Sequence, residues 1–367
     1  MHKNIFRKGA ISGIVFLVVS VSIVSALNAV PTTRCPLAHY GLWLYVGGSG
    51  PGNYTTIQSA INAANPGDTV FVYSGTYVEN VVVDTSLTLE GEEKGNTIID
   101  ASKLGNAVEI TADGVVVSGF TMQHGFGTGF FGGGGIKLVN TRNCTICDNI
   151  IVDNDLFGIC VTSDNASSYT TIAENIIAEN GNPLYGGFNI WLYQSPHNTI
   201  SNNTITNGNG YGIGLCYWST HSIVTGNMIT DNKYDGIKGR FVYDNEVYEN
   251  MLRDNMCGIG WYNISEKNHV YDNVFESSEY YGIFLRGESS NNIIERNNFI
   301  DNKEYDAYFY IKNFMSHNKW KQNYWSKARV LPKPIFGLIM LGGDSSLPWV
   351  NVDWQPAQQP YNITLMK

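Results

Sequence analysis

The chain has 367 residues, of which 43% are hydrophobic and only 15% charged, and its formal net charge at pH 7 is −9. Its 16 phenylalanines and 22 tyrosines supply ample aromatic surface to bury, which excludes a disordered chain, and its 39 glycines are typical of a β-rich extracellular protein. The negative charge argues against nucleic acid or an anionic membrane surface as a partner, because both require a basic footprint.

The first residues have the pattern of an export signal. Lys3, Arg7 and Lys8 form a basic start, the uncharged run AISGIVFLVVSVSIVSAL follows, and small residues near Ala26 suit cleavage. We therefore predict a signal peptide over residues 1–26 and an extracellular or cell-surface protein. If uncleaved, the segment would be a membrane anchor, the one membrane contact expected. Six glycosylation sequons fit export: Asn53, Asn143, Asn165, Asn202, Asn263 and Asn362.

A short amphipathic helix is predicted next. Ile57, Ala60, Ile61 and Ala64 follow the i, i+3, i+4, i+7 spacing of one helix face, and Asn65-Pro66-Gly67 ends the pattern. The segment TVFVY is then expected to start the first strand. A helix at this place would cover one open end of the β-structure that follows.

The following residues repeat with a period of about 24. Each copy contains Asn, an apolar residue, a second Asn and then Gly-Ile. The second asparagines are Asn149, Asn175, Asn203, Asn227, Asn250, Asn273, Asn297 and Asn323. Apolar residues alternate within each copy, as in NEVYENML, which indicates strands. We predict an all-β solenoid, a parallel β-helix over residues 43–325 with about ten coils.

The repeated residue types have structural explanations. Stacked coils place equivalent residues above one another at ~4.8 Å, so inward asparagines can form an amide ladder and inward Ile or Val can form an apolar core. The repeat ends after Asn323, and the Trp- and Pro-rich residues 326–367 are expected to form an irregular C-terminal cap. Six irregularly spaced cysteines do not form a disulfide framework, and CTIC lacks the second CxxC of a zinc site.

The segment TIQSAINAANPGDTVFVYSGTYVENVVVDTSLTLEGE, the Gly-Ile and Asn coils and the closing NYWS resemble the pectin-lyase-like right-handed β-helix proteins. Within them, residues 43–325 are most similar to the exported archaeal members of the NosD-type group. The resemblance implies a single-stranded right-handed parallel β-helix. It implies several functions, because the superfamily includes polysaccharide lyases, hydrolases and epimerases, and the group's name-giving member is a copper-associated accessory protein.

A stripe of outward residues follows the Gly-Ile pairs. Alternation places the first and third residue after each pair on the outside, and residues 191–286 of this stripe are aromatic and basic. The candidate ligand-binding residues are Trp191, Tyr193, Tyr217, Trp218, Phe284 and Arg286. Aromatic faces would stack on sugar rings, cations would pair with carboxylate or sulfate, and Gly214 and Gly260 would leave a trough. The leading hypothesis is therefore binding of a polysaccharide or cell-surface glycan. The alternative is that the aromatic residues pack under loops.

Two further hypotheses use nearby residues. A polysaccharide lyase, epimerase or hydrolase would use a base and a cation, and Asp235, Lys238, Arg240 and Tyr262 are the candidate catalytic residues. A site for copper or another divalent metal could use His197, His221 and Asp244, which occupy equivalent places in successive coils. A solvated column of turn residues explains the histidines equally well, and a structural surface rod without a ligand is the remaining possibility.

Overall fold

The structure is a computed structural model that describes residues 41–127, 132–163, 168–184, 186–312, 317–342 and 345–363. The predicted signal peptide lies outside these ranges. Within them, no helix has the length and the apolar character needed to cross a membrane.

Each coil contributes one short strand to each of three sheets, named A, B and C in chain order. Sheet A contains β1 (Trp43–Val46), β2 (Thr69–Val72), β5 (Thr88–Gly91), β8 (Val116–Ser118), β11 (Thr145–Cys147), β14 (Thr171–Ala173), β17 (Thr199–Ser201), β20 (Ile223–Thr225), β23 (Glu246–Tyr248), β26 (His269–Tyr271), β29 (Ile293–Glu295) and β32 (Lys319–Lys321). Sheet B contains β3 (Gly75–Val78), β6 (Thr97–Asp100), β9 (Thr121–Gln123), β12 (Ile150–Val152), β15 (Ile176–Ala178), β18 (Thr204–Thr206), β21 (Met228–Thr230), β24 (Met251–Arg253), β27 (Val274–Glu276), β30 (Asn298–Ile300) and β33 (Tyr324–Trp325).

Sheet C contains the longest strands and the candidate site. Its members are β4 (Val81–Val83), β7 (Val108–Ile110), β10 (Gly134–Val139), β13 (Phe157–Thr162), β16 (Phe188–Tyr193), β19 (Tyr211–Cys216), β22 (Ile237–Tyr243), β25 (Cys257–Glu266), β28 (Tyr281–Gly287), β31 (Tyr305–Ile311), β34 (Lys333–Gly342) and β35 (Ser345–Asp353). All neighbours in the three sheets pair in parallel except β34 and β35. The prediction of an all-β right-handed parallel β-helix is confirmed, with sheets of twelve, eleven and twelve strands.

Asparagine ladders bind the coils at the corners, as the repeat predicted. Between sheets A and B, the Asn227 side-chain amide donates to Ile200 O at 2.9 Å and to Asn250 Oδ1 at 3.0 Å, while its oxygen accepts from Asn203 N at 3.0 Å. A second ladder between sheets B and C includes Asn232 and Asn255, and a third between sheets C and A includes Asn245 and Asn268. The repeated asparagines therefore satisfy buried backbone groups at the turns.

The N-terminal helix is where the sequence placed it. Helix α1 (Ile57–Ala63) buries Ile57, Ala60 and Ile61, and the Thr56 side chain caps it by accepting from Ser59 N. The expectation that TVFVY starts the first strand was wrong, because β1 precedes the helix and pairs in parallel with β2. β1 is a four-residue strand at the edge of sheet A, and β2 is its neighbour in that sheet.

The C-terminal residues are more regular than predicted. Instead of an irregular cap, β34 and β35 form an antiparallel hairpin, and β34 pairs in parallel with β31 to extend sheet C. The buried Asp353 carboxylate then accepts from Asn323 N at 2.9 Å and from the Trp325 indole at 3.1 Å. An aspartate at this position ends the asparagine ladder, because it accepts the donors that a further coil would otherwise satisfy.

The cysteines do not form the pair that CTIC would suggest. Cys147 is disulfide-bonded, whereas Cys144 is a free, buried thiol, so the two cysteines of the motif are not bonded to each other. Burial raises the pKa of Cys144 above its usual value. A low-pKa redox thiol is therefore not present at Cys144.

Candidate functional site

The outer face of sheet C carries the predicted stripe in register. Cys160 pairs with Trp191, Trp191 with Gly214, and Gly214 with Lys238. The row continues from Lys238 to Gly260 and from Gly260 to Phe284. The register predicted from the sequence pattern is therefore correct. The pairing of the strands brings side chains from successive coils to within one coil spacing of each other.

A cavity of about 870 Å³ lies over this face at the level of β13 to β22. Its floor is the outer face of sheet C, and its walls include the turn before β10 and the turn before β16. It is lined by Phe126, Gly127, Asp155, Leu156, Phe157, Asn182, Gly186, Gly187, Phe188, Trp191, Tyr211, Cys216, Tyr217, Tyr234, Lys238 and Arg240. This size and this mixture of aromatic and charged groups are those of a small-ligand site.

The aromatic residues of the cavity form a packed stack. Phe188 and Trp191 lie parallel, with ring centroids 5.2 Å apart and planes at 6°, and Tyr211 stacks on the other side of Phe188 at 5.0 Å. Trp191 is only 4% exposed. Its indole therefore does not offer the open face that the sequence suggested, and the alternative of packed aromatic residues holds for this side chain.

Glycine makes this packing possible. A Cβ on Gly214 would lie 2.5 Å from Phe188 Cε1 and 3.1 Å from Trp191 Cδ1. A Cβ on Gly260 would lie 2.5 Å from Asp235 Oδ2 and 2.6 Å from Tyr262 Cε2. The prediction that these glycines leave an empty trough was therefore wrong: neighbouring side chains occupy the space.

Two cations lie in the cavity against aromatic rings. Lys238 Nζ is 3.9 Å from the centroid of the Tyr211 ring and 5.9 Å from that of Phe188. Arg240 Cζ is 5.3 Å from the centroid of the Tyr217 ring. Among the described residues, no carboxylate lies within ion-pair distance of either cation. Their charge is stabilised by the rings and is available to an anionic ligand.

Asp235 and Tyr262 form a hydrogen-bonded pair next to this floor. The Tyr262 hydroxyl donates to Asp235 Oδ2 at 2.9 Å, and Asp235 is fully buried. Burial raises the pKa of Asp235 to about 6, although the Tyr262 hydroxyl, the Cys257 thiol and the charge of Lys238 all act to lower it. Burial raises the pKa of Tyr262 well above its usual value as well, and the Asp235 charge adds to this.

The four candidate catalytic residues thus lie together but do not all face the cavity. Lys238 and Arg240 line it, whereas Asp235 and Tyr262 are not among its lining residues. A general base must be within reach of the proton that it removes, and the buried Asp235 carboxyl, which accepts from the Tyr262 hydroxyl, does not line the cavity. The arrangement can hold an anionic group, and the catalytic roles stay a prediction.

The other candidate ligand-binding residues are spread around the cavity. Tyr217 lines it, and Tyr193 packs edge-on against Trp191 at 5.3 Å. Trp218 is 54% exposed and does not line it. Phe284 and Arg286 lie in β28, two coils beyond Lys238 toward the C-terminal end, where Phe284 contacts the edge of Tyr262 at 5.8 Å.

The histidine column has no metal-binding geometry. The rings of His197 and His221 stack face to face at 4.9 Å with planes at 23°, and Tyr169 stacks on His197. His221 Nε2 is 3.9 Å from Asp244 Oδ2. No group of three His, Cys, Asp or Glu side chains that could hold a metal ion occurs in the described part of the chain. The geometry gives no support to the predicted copper or divalent-metal site at His197, His221 and Asp244, because stacked rings do not direct their nitrogens at one point, and the site stays a prediction.

Sequence reasoning missed several lining residues. Phe157, Phe188 and Tyr211 each stand two residues before Ile159, Ile190 and Ile213, and they line the cavity. Alternation from Trp191 and Gly214 could not find this row, because Phe188 and Tyr211 stand three residues earlier, on the opposite face by strict alternation. The alternation breaks at Asn189, whose side chain joins the buried amide ladder. Asp235 occupies the same row, one coil after Tyr211.

Comparisons with known proteins agree with this architecture. A curated relative, a cell surface glycoprotein of Methanothermus fervidus, is 30% identical over an alignment of 256 residues that covers 65% of this chain. The chain spans about two-fifths of the length of that relative, since 41% of it is covered.

Solved structures share the fold at low sequence identity. The complex of XylC with xylose has a TM-score of 0.60 at 13% identity and covers 84% of this chain and 89% of its own. The surface adhesin PfbA of Streptococcus pneumoniae has a TM-score of 0.55 at 12% identity and covers 83% of this chain and 95% of its own. The A-module of the Azotobacter vinelandii mannuronan C-5 epimerase AlgE4 has a TM-score of 0.54 at 15% identity and covers 78% of this chain and 93% of its own.

A protein-family model shows to which family the chain belongs. The model described as "Right handed beta helix region" matches residues 104–275 and 219–348, which together make up more than half of the chain. These residues include the coils whose asparagine ladders and sheet C stripe are described above. The chain therefore belongs to the right-handed beta helix family.

Proposed function

We propose that the protein is a cell-surface β-helix protein that binds carbohydrate with acidic groups in the cavity on sheet C. The observation that carries the proposal is the pair of cations, Lys238 and Arg240, held over aromatic rings in a cavity and without a carboxylate partner among the described residues. Partly buried cations without a carboxylate partner favour a ligand that supplies carboxylate or sulfate oxygens.

The remaining lining fits a sugar. Tyr211, Tyr217 and Tyr234 combine apolar ring surface with a hydroxyl, and Asp155 and Asn182 add polar groups at the wall. A glycan needs apolar contact for its C–H faces and hydrogen-bond partners for its hydroxyls. A cavity of about 870 Å³ has room for a short oligosaccharide segment.

The cell-surface location is supported by the sequence and by one relative. The predicted signal peptide implies export, and the curated relative is named a cell surface glycoprotein. The solved structures support only the fold, because their identities are 12% to 15%. The enzymatic alternative has less support in the geometry, since Asp235 and Tyr262 do not reach the cavity.

An array of acidic and neutral oligosaccharides tests the proposal. The wild-type chain, residues 27–367, should bind uronate-containing or sulfated members and not their neutral counterparts. Lys238→Met and Arg240→Gln should each weaken that binding about tenfold to hundredfold, because a charge-assisted contact contributes roughly 1.5–3 kcal/mol. Lys137→Met is the matched control: Lys137 lies in the same row of sheet C but does not line the cavity.

Three results decide the outcome. Loss of binding in the two cavity variants, with the control variant unaffected, supports the proposal. Equal binding of acidic and neutral glycans, or full binding by the Lys238→Met and Arg240→Gln variants, contradicts the charge argument. Absence of any glycan binding by a folded wild-type chain contradicts carbohydrate binding itself.

A further inference from the structure

We propose that Asp235 controls the charge of the cavity floor, and that it takes up a proton when an anionic group binds to Lys238 and Arg240. The inference rests on the proposed function, since it concerns the same site. It makes Asp235 a specificity-determining residue that acts through the cations, without touching the ligand.

The geometry places the Asp235 carboxyl group beside the cavity floor, on the outer side of sheet C. Lys238 and Gly260 are register partners in β22 and β25, and Asp235 Oδ2 lies 2.5 Å from the Cβ position of Gly260. The carboxyl is fully buried and accepts from the Tyr262 hydroxyl, and the centroid of the Tyr262 ring is 5.9 Å from Lys238 Nζ. Asp235 is thus a neighbour of Lys238 that a ligand in the cavity does not reach.

The carboxyl group is incompletely satisfied. Oδ2 accepts from the Tyr262 hydroxyl, while Oδ1 makes no hydrogen bond of good geometry within the described residues. The groups that face Asp235 are Tyr211 from β19, Lys238 from β22, and Cys257 and Tyr262 from β25, with Glu304 acting on Cys257. A buried carboxylate whose further partner is only a weakly donating thiol, that of Cys257, is costly in its charged form.

Asp235 titrates in a pH range in which the neighbouring Cys257 and Tyr262 do not. Burial raises the pKa of Asp235 to about 6. Burial also raises the pKa values of Cys257 and Tyr262 above their usual values, so both remain neutral where Asp235 titrates. The charge on Asp235 therefore changes around pH 6, and this titration changes the net charge of the site by one.

Thermodynamic linkage gives the direction in which the affinity for an anionic ligand changes with pH. An anion bound near Lys238 disfavours a second negative charge on the neighbouring Asp235 carboxyl, so ligand binding raises the pKa of Asp235 further. The affinity is then greatest below pH 6, where Asp235 is already protonated, and it falls as the pH rises through the pKa of the complex. Each unit by which binding raises this pKa corresponds to a factor of about ten in affinity between the two limits.

The experiment is calorimetric titration of the protein with trigalacturonate between pH 5 and pH 8. The carboxylates of this probe titrate at about 3.5 and stay ionised throughout. We expect binding to weaken about threefold to thirtyfold from low to high pH. In two buffers of different ionisation enthalpy at pH 7, the heats should differ by an amount that corresponds to uptake of a fraction of one proton.

Three variants test whether the proton that is taken up on binding goes to Asp235. Asp235→Asn imitates the protonated side chain and should bind at pH 8 as tightly as wild type binds at pH 5, without proton uptake. Tyr262→Phe removes the donor to Asp235 Oδ2, which should move the pH midpoint upward, and it tests the proposal even if the asparagine variant does not fold. Asp231→Asn is the control, because Asp231 is an exposed carboxylate of the same coil. It should behave as wild type.

The outcomes separate this inference from the proposed function. Binding that is independent of pH, or an unchanged pH dependence in both Asp235→Asn and Tyr262→Phe, overturns the inference while carbohydrate binding stands. Absence of trigalacturonate binding at every pH, with acidic glycans also negative on the array, overturns both.

Discussion

A single ladder asparagine satisfies several buried backbone groups at once. The Asn227 amide donates to Thr225 O in its own coil and to Ile200 O and Asn250 Oδ1 in the coils on either side, and its oxygen accepts from Asn203. The side chain is fully buried. Asn is suited to this place because no other small side chain carries both a double donor and an acceptor.

Replacing Asn227 with alanine should therefore destabilise the protein strongly. We expect the free energy of unfolding to fall by ~3 kcal/mol or more, because several buried donors and acceptors lose their partners together. Urea unfolding followed by circular dichroism measures the change. Asn62→Ala, at an exposed position on helix α1, is the control and should alter stability by less than about 0.5 kcal/mol. Equal effects of the two changes would show that the ladder contributes little.

At the scale of elements, glycine in β19 decides the shape of the cavity. Gly214 lets the Phe188 ring of the preceding coil lie across the strand, and this ring stacks on Trp191 and lies near Lys238. The outer face of sheet C is therefore a product of residues from three successive strands. One added methyl group at this position changes all of their positions.

Gly214→Ala should disturb the site while the coils remain stacked. The new Cβ would lie 2.5 Å from Phe188, so the ring must move away from Trp191. We expect a loss of about 1–3 kcal/mol in stability, a changed near-ultraviolet circular dichroism signal from Trp191, and weaker binding of acidic glycans. Gly95→Ala has open space around its Cβ and is the control. An unchanged tryptophan signal in Gly214→Ala would contradict this packing.

Sequence alone predicted the elements that depend on a periodic pattern. The coil register, the asparagine ladder and helix α1 follow from spacing, because each coil repeats the environment of the previous one. The C-terminal hairpin was missed, since residues 333–353 carry no repeat and their pairing is set by the last strand of sheet C. The carboxylate of Asp353 could not be recognised as a ladder terminus without knowing which residues surround it.

At the scale of the whole molecule, the site depends on features between coils that the pattern does not contain. The outward alternation placed Lys238, Arg240 and Tyr262 on one face, but it could not show that Tyr262 donates to the buried Asp235 or that Phe188 fills the space at Gly214. Side-chain direction and the turns that close the cavity come from tertiary packing. The stack of coils thus supplies a regular scaffold, and the cavity on sheet C is where we propose that the ligand binds.

The structure of the complex with an acidic oligosaccharide tests the central claim most directly. We predict a carboxylate or sulfate oxygen of the ligand within about 3 Å of Lys238 Nζ or of the Arg240 guanidinium, with sugar atoms against Tyr211 and Tyr217. A ligand bound elsewhere on the coils, or bound in the cavity with both cations free of contact, would contradict it.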